Sequence, residues 1–205
     1  MTFPQYRAHP WHGISWGDKA PEVVNSYIEI VPSDTVKYEL DKETGILKID
    51  RPQKYSNQCP TLYGFIPRTY CGELNAAVCM EATGYKNLKG DGDPLDICVL
   101  TERNIPRGDI LLRARPIGGL RMIDHGEVDD KIIAVLIDDA MYGGLTELSS
   151  CPNTWIDRLR HYFLTYKQIP GEGSSPVEIS DVYDSNVARN VIRQSNLDYL
   201  NLVKQ

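Results

Sequence analysis

Residues 91–96 place three carboxylates within six positions, in the order Asp-Gly-Asp-Pro-Leu-Asp. Negative charges this close repel one another unless a positive charge lies among them. A solvated acidic turn is the simplest interpretation, since glycine and proline favour turns. However, the apolar run at 97–100 predicts a buried strand, which anchors the carboxylates at the mouth of a core element. Carboxylates anchored in this way are typical of sites for hard divalent cations, which prefer oxygen ligands.

A second acidic group lies at residues 124–131 and leads into an apolar run that predicts a strand over 131–137. The strand period of two places Asp129 and Lys131 on one face. Each acidic turn alone is better explained as a solvated loop. Two acidic turns that both lead into buried strands could instead converge at one rim of a barrel and share cations.

Basic and aromatic residues could add a site for an anion. Lys37 lies beside Glu39 on the polar face of a predicted strand, and Arg51 closes the strand that returns. Lys167 follows Tyr166 near the end of a predicted helix, where a cation is favoured by the helix dipole. An exposed Lys37–Glu39 pair and a purely structural Tyr166 remain alternatives. Phosphoryl chemistry uses this combination of carboxylates for metals and basic side chains for an anion.

The elements that must position these residues are mostly strands. Alternating or apolar runs predict strands over 27–31, 36–40, 46–51, 96–100, 110–116 and 131–137, with a bend or bulge at 118–119. Helical spacing predicts one helix from an Asn153 cap to 170–171, and a C-terminal helix over 184–203 that is capped by Asp184 or Ser185. Residues 66–90 are interpreted as a long surface excursion. Strands followed by helices favour an α+β fold that is mainly β.

The chain of 205 residues fits a single domain over 1–205. Residues 1–25 are interpreted as an N-terminal arm. His9 and His12 within it could be a ligand pair, but an aromatic arm packed on the body is the favoured interpretation. Five cysteines without a CxxC pair favour buried thiols over disulfides or structural zinc.

Charge and hydropathy exclude several classes of protein. The net charge of -6 argues against a nucleic-acid partner, which would favour a basic excess. The longest apolar stretch, 132–137, is too short to span a membrane, and residues 1–13 lack the apolar core of a signal peptide. We therefore predict a cytoplasmic protein without a membrane partner. A P-loop nucleotide site is excluded by the absence of its motif, and an EF-hand by Asp96 at the position that requires glycine.

The stretch 91–96 resembles the signature of the family I soluble inorganic pyrophosphatases. The resemblance continues in order from Glu29 to Lys167, through segments 28–30, 37–45, 50–51, 63–67, 124–131 and 166–167. It implies an OB-type, distorted five-stranded β-barrel with flanking α-helices. It also implies Mg²⁺-dependent hydrolysis of inorganic pyrophosphate to two orthophosphates, with Mn²⁺ or Zn²⁺ as alternative metals. Members are commonly hexamers or dimers, so the resemblance implies a homo-oligomer, with a hexamer favoured over a dimer.

The resemblance also implies a role for each matching residue. Asp93 would be the general base. The metal ligands would be Asp91, Asp96, Asp129, Asp124 and Glu29. The substrate-binding residues would be Lys37, Glu39, Arg51, Tyr63, Lys131, Tyr166 and Lys167, with Tyr63 supporting the nucleophile.

The chain also departs from the family pattern. Cys59-Pro60 stands where an aromatic-proline pair is common, and His125 stands where many members carry glutamate. Two other classes compete with an enzyme. An OB-type module for single-stranded nucleic acid would need a basic groove with stacking aromatics, which the acidic balance disfavours. A calcium-binding structural protein is disfavoured by the basic residues among the carboxylates.

Overall fold

The computed structural model describes residues 7–167 and 177–204. Within these ranges the strands are β1 (Val24–Ile30), β2 (Val36–Leu40), β3 (Leu47–Pro52), β4 (Leu62–Phe65), β5 (Lys89–Gly90), β6 (Asp96–Leu100), β7 (Ile110–Asp124), β8 (Glu127–Val128), β9 (Lys131–Leu136) and β10 (Val177–Asp184). The helices are α1 (Glu73–Thr83), α2 (Asn153–Thr165) and α3 (Ser185–Leu202). Predicted strands 36–40 and 96–100 coincide with β2 and β6, and the other predicted strands overlap β1, β3, β7 and β9.

Five strands close into a ring in the order β1-β4-β6-β9-β7, and β7 pairs again with β1. The β6–β9 pair is parallel, whereas the other four pairs are antiparallel. Register shifts in β1 and β7 make the ring irregular. Closure leaves no free edge between these strands. The predicted α+β, mainly β fold, an OB-type distorted five-stranded barrel flanked by helices, is confirmed.

The β2–β3 hairpin forms a separate two-stranded sheet beside the barrel. Its register places Lys37 opposite Arg51, so both basic residues lie at the same point of the hairpin. The turn between the strands is closed by Asp41, whose side chain accepts a hydrogen bond from the Thr44 backbone N–H at 2.9 Å. Gly45 completes the turn with φ of 69°, a conformation that glycine adopts readily.

The strand predicted over 110–116 is too short, because β7 continues to Asp124. The predicted irregularity lies inside this strand, as a register shift between Pro116 and Gly118. The continuation is stabilised by β10, which pairs with β7 from Val177 to Asp184. Strand β10 was not predicted from the sequence, because the polar residues along this strand interrupt its apolar signal. The short strand β4 was also missed.

The interpretation of 66–90 as a surface excursion is wrong in part, because α1 lies within it. Residues of α1 pack inward, among them Cys79. No side chain adjacent in sequence caps this helix; instead the Asp198 carboxylate of α3 accepts hydrogen bonds from three backbone N–H groups at its start. A cap supplied from more than a hundred residues away leaves no local sequence signal.

Of the caps predicted for the other two helices, one is confirmed and one is wrong. Asp184 caps α3 as predicted and accepts from the backbone N–H groups of Asn186 and Val187 at 2.9 and 3.0 Å. The predicted Asn153 cap is wrong by one position, because α2 begins at Asn153 and Pro152 precedes it without a side-chain hydrogen bond. The predicted end at 170–171 lies outside the described residues.

The described part of the N-terminal arm packs on the body, as predicted. Trp11 is buried and its Nε1 donates to the Thr69 carbonyl oxygen at 2.7 Å. The five cysteines are also buried and free, as expected. Within the described ranges, no helix is both long enough and apolar enough to cross a membrane.

Gly64 allows β4 and β1 to approach closely, and this contact gives a stability prediction. A Cβ atom at position 64 would lie 1.9 Å from the Tyr27 carbonyl oxygen. We expect Gly64→Ala to lower the free energy of unfolding by about 1–3 kcal/mol, because backbone atoms must move apart. Chemical denaturation measures this change. Gly144→Ala is the matched control, since a Cβ there has no neighbour within 4 Å; an equal loss in both variants would contradict the explanation.

Candidate active site

One cleft at the end of the barrel collects all thirteen predicted site residues and has a volume of about 280 Å³. The barrel strands and the acidic turns contribute Glu29, Tyr63, Asp91, Asp93, Asp96, Asp124, Asp129 and Lys131. The hairpin contributes Lys37, Glu39 and Arg51, and the end of α2 contributes Tyr166 and Lys167. The two acidic groups of the sequence therefore do converge at one rim of the barrel.

Parallel pairing of β6 with β9 brings the two acidic groups together. Asp96 and Lys131 are each the first residue of their strand, and they are direct partners in the register. Because parallel strands run in the same direction, the turns that precede them meet at the same edge. Asp91 and Asp129 lie in those turns.

Lys131 is the centre of this arrangement. Its side chain is 2% exposed, and its ammonium donates to Asp96 Oδ2 at 2.5 Å and to Asp129 Oδ1. Tyr63 also donates to Asp96 Oδ2, at 2.5 Å. Burial lowers the pKa of Lys131, but the charges of Asp129 and Asp96 outweigh burial and raise it well above its usual value. Lys131 is therefore a permanent positive charge between two carboxylates.

The carboxylates of the cleft carry more negative charge than the Lys131 ammonium alone neutralises. Burial, followed by the charge of Asp129, raises the pKa of Asp91 to about 9. Burial raises the pKa of Glu29 to about 8, although the Leu40 backbone N–H donates to its carboxylate at 2.6 Å. A further cation would lower both pKa values, because an opposite charge favours the ionised carboxylate.

The hairpin supplies the basic wall of the cleft. The Lys37 ammonium donates to Glu39 at 3.1 Å and to Asp50 at 2.8 Å, and Arg51 donates to the same Asp50 carboxylate at 2.6 Å. Burial lowers the pKa of Lys37, but Asp50 and Glu39 outweigh it and the net shift is upward. The Lys37–Glu39 pair is thus both a strand pair and part of the cleft. Asp50 lies in the segment 50–51 that resembles the family, but it was assigned no role in the sequence analysis.

The end of α2 supplies the opposite wall. Lys167 donates to the Asp124 carboxylate, and its ammonium lies 5.3 Å from the centre of the Tyr166 ring. Burial raises the pKa of Asp124, but Lys167 and His125 outweigh it and lower this pKa below its usual value. Tyr166 packs against the aromatic residues of α2 and also faces Arg51 at 5.9 Å, so its core role and its cleft role coexist.

Two further charged residues line the cleft, and neither was assigned a role in the sequence analysis. Lys42 lines the cleft and donates to the Asp93 carboxylate. No local signal indicates this contact, because the two residues lie in separate turns. Glu127 also lines the cleft. The strand period of two that relates Asp129 to Lys131 could have identified Glu127, because Glu127 lies two residues before Asp129.

Asp130 lies between two cleft residues but is buried in the interior, with 2% exposure. The Tyr183 hydroxyl donates to its Oδ2 at 3.1 Å. Burial raises the pKa of Asp130 to about 6, and the charge of the buried Arg121 opposes that rise. Sequence reasoning treated 124–131 as one acidic group and did not separate this interior carboxylate from the others.

The donor set of the cleft fits a hard divalent cation. In the described ranges, no three acidic, histidine or cysteine side chains are close enough to hold a metal ion by themselves. Mg²⁺ does not require such a group, because it takes one or two carboxylates and keeps several waters. The raised pKa values of Asp91 and Glu29 mark oxygen donors that a cation would stabilise in their ionised form.

Comparisons with known proteins agree on one family. The family model described as inorganic pyrophosphatase matches residues 26–200. An inorganic pyrophosphatase of Chlamydia trachomatis is 55% identical over 199 residues, which cover 95% of each chain. A soluble inorganic pyrophosphatase of Solanum tuberosum is 40% identical and covers 92% of this chain and 79% of its own. The crystal structure of inorganic pyrophosphatase from Thermus thermophilus has a TM-score of 0.78 at 29% identity, covering 94% of this chain and 99% of the other.

Lys131→Met tests the charge balance of the cleft. Removing one partner of a buried ion pair leaves an uncompensated charge and costs about 3–5 kcal/mol. We expect this variant to lose stability of that order in metal-free buffer at neutral pH, measured by denaturant unfolding. Lys86→Met is the control, because Lys86 is exposed. Unchanged stability of Lys131→Met would contradict the charge balance described above.

Proposed function

The chain belongs to the inorganic pyrophosphatase family, and we propose that its cleft hydrolyses inorganic pyrophosphate to two orthophosphates with the help of Mg²⁺. The observation that carries this proposal is the combination of charges in one cleft. Asp91, Asp96 and Asp129 form an acidic cluster around Lys131, while basic residues line the walls. A doubly charged metal and a polyanionic substrate together balance such a site.

Asp91, Asp96 and Asp129 would hold the first metal ion, and Asp124 and Glu29 would contribute to further metal binding. Mg²⁺ is the expected metal, with Mn²⁺ or Zn²⁺ as alternatives. Bound metal ions would neutralise phosphoryl oxygens and lower the pKa of water, so that hydroxide is available near neutral pH. Lys131 holds two of these carboxylates in place before any metal binds.

The basic residues would bind the phosphate oxygens. Lys37 and Arg51 lie opposite each other and share the Asp50 carboxylate, which fixes their side chains toward the cleft. Lys167 and Tyr166 face them from α2. These groups would stabilise the negative charge that moves onto the departing phosphate. Glu39 would orient Lys37 through their ion pair.

Asp93 would act as the general base for the attacking water. The Lys42 ammonium donates to the Asp93 carboxylate, and both residues line the cleft. The Asp93 backbone N–H donates to Asp91 Oδ1 at 3.0 Å, which ties the base to the acidic cluster. Tyr63 would support the nucleophile site through its hydrogen bond to Asp96.

Three further expectations accompany this function. We infer that residues 1–205 act as a single domain, with 1–25 as an arm. We also infer a cytoplasmic location. The third is a homo-oligomer, with a hexamer favoured over a dimer.

Phosphate release tests the proposed function. Purified protein incubated with pyrophosphate and Mg²⁺ should release orthophosphate, because the metal completes the charge balance of the cleft. Excess EDTA should stop the release, and added Mg²⁺ should restore it. The proposal fails if folded protein releases phosphate equally well with EDTA, or releases none with any divalent metal.

Asp93→Asn tests the general base. A well-placed base contributes about 10²–10⁴-fold to the rate. We expect kcat to fall by that order, while the KM for pyrophosphate changes little because the basic wall is intact. Steady-state kinetics separates the two constants. Asp157→Asn, at an exposed position of α2, is the matched control. A kcat close to that of the wild-type chain would remove Asp93 from this role.

A further inference from the structure

Asp130 is a buried acidic residue that the proposed mechanism does not use. Its neighbours Asp129 and Lys131 both line the cleft. Because alternate residues of an extended chain point to opposite sides, Asp130 is directed into the interior. The segment is held at the backbone by the Asp129 N–H, which donates to the Met122 carbonyl oxygen at 2.9 Å. The side chain of Asp130 therefore anchors the segment from the face opposite the cleft.

Tyr183 and Arg121 form the interior surroundings of Asp130. The Tyr183 hydroxyl donates to Asp130 Oδ2 at 3.1 Å. Arg121 is 1% exposed, lies 5.0 Å from the centre of the Tyr183 ring, and donates to the Val78 carbonyl oxygen at 3.2 Å. The three residues come from β10, β7 and the turn before β9, so the cluster joins three elements behind the cleft.

Gly119 makes room for this cluster. A Cβ atom at position 119 would lie 2.4–2.5 Å from three atoms of the Tyr183 side chain, including its hydroxyl oxygen. Gly119 and Tyr183 are also register partners between β7 and β10. The glycines at 118–119 therefore have a role besides the bulge of β7. Because Gly119 has no Cβ atom, the Tyr183 ring can cross β7 toward Asp130.

We propose that Tyr183, Arg121 and Asp130 form a positioning cluster that fixes the Asp129–Lys131 segment and thereby sets the geometry of the metal cleft. Core packing alone does not account for the cluster. Buried charged groups contribute less to stability than well-packed apolar side chains of similar volume. A fixed segment is useful here, because metal ligands must be oriented before they bind, and residues that contact ligands from behind provide this orientation. The inference rests on the proposed metal-dependent function.

Tyr183→Phe is the sharpest test, because it removes one hydroxyl and keeps the ring. We expect a roughly tenfold to 100-fold weaker affinity for Mg²⁺, the range for groups that orient metal ligands. Isothermal titration of the metal-free full chain with Mg²⁺ measures the affinity without reference to turnover. Near-UV circular dichroism shows whether the variant is folded. Tyr85→Phe is the matched control, because it removes a surface hydroxyl that donates to Glu178.

A double variant shows whether Tyr183 acts through Asp130. If it does, Tyr183→Phe combined with Asp130→Asn should weaken Mg²⁺ binding no more than Asp130→Asn alone. Multiplied losses, or an unchanged Mg²⁺ affinity in folded Tyr183→Phe, would overturn the inference. Should Asp130→Asn fail to fold, Tyr183→Phe alone decides. A wild-type chain that binds no Mg²⁺ and needs none for hydrolysis would instead refute the proposed function, and the inference with it.

Discussion

Buried carboxylates repel one another, and this repulsion is the constraint on which the cleft depends. Asp91, Asp96 and Asp129 are close enough for their charges to affect one another's pKa values. Only Lys131 lies between two of them as a fixed positive charge in the described part of the chain. The remaining negative charge would attract cations, which is what the proposed metal-dependent function requires of the cleft.

One parallel strand pair of the barrel places Lys131 among the carboxylates and so reduces their repulsion. Because β6 and β9 run side by side, Asp96 and Lys131 begin adjacent strands and face each other directly. The hairpin and α2 then add basic residues, each already paired with a carboxylate, as in Lys37 with Asp50 and Lys167 with Asp124. Oriented pairs of this kind cost little reorganisation when a charged substrate binds. In the proposed function, the fold thus separates carboxylates that would hold metal from basic walls that would bind phosphate.

Sequence reasoning succeeded where a signal is local and failed where the contact is distant. Single segments of the sequence show the acidic stretch 91–96 and the shared strand face of Asp129 and Lys131. The Asp184 cap of α3 is equally local. The contact of Lys42 with Asp93 spans 51 positions, and the hydrogen bond of Tyr183 to Asp130 spans 53. Such contacts follow from the register of strands, which hydrophobic patterns alone do not determine. The same reason explains the missed strand β10 and the helix α1, whose cap comes from α3.

Anomalous scattering from a crystal of the protein grown with Mn²⁺ would locate the metal. We expect an anomalous peak bound by carboxylate oxygens of the cluster Asp91, Asp96 and Asp129, with Lys131 still in contact with that cluster. A peak found only outside the cleft, in a crystal of protein that hydrolyses pyrophosphate with Mn²⁺, would contradict this expectation.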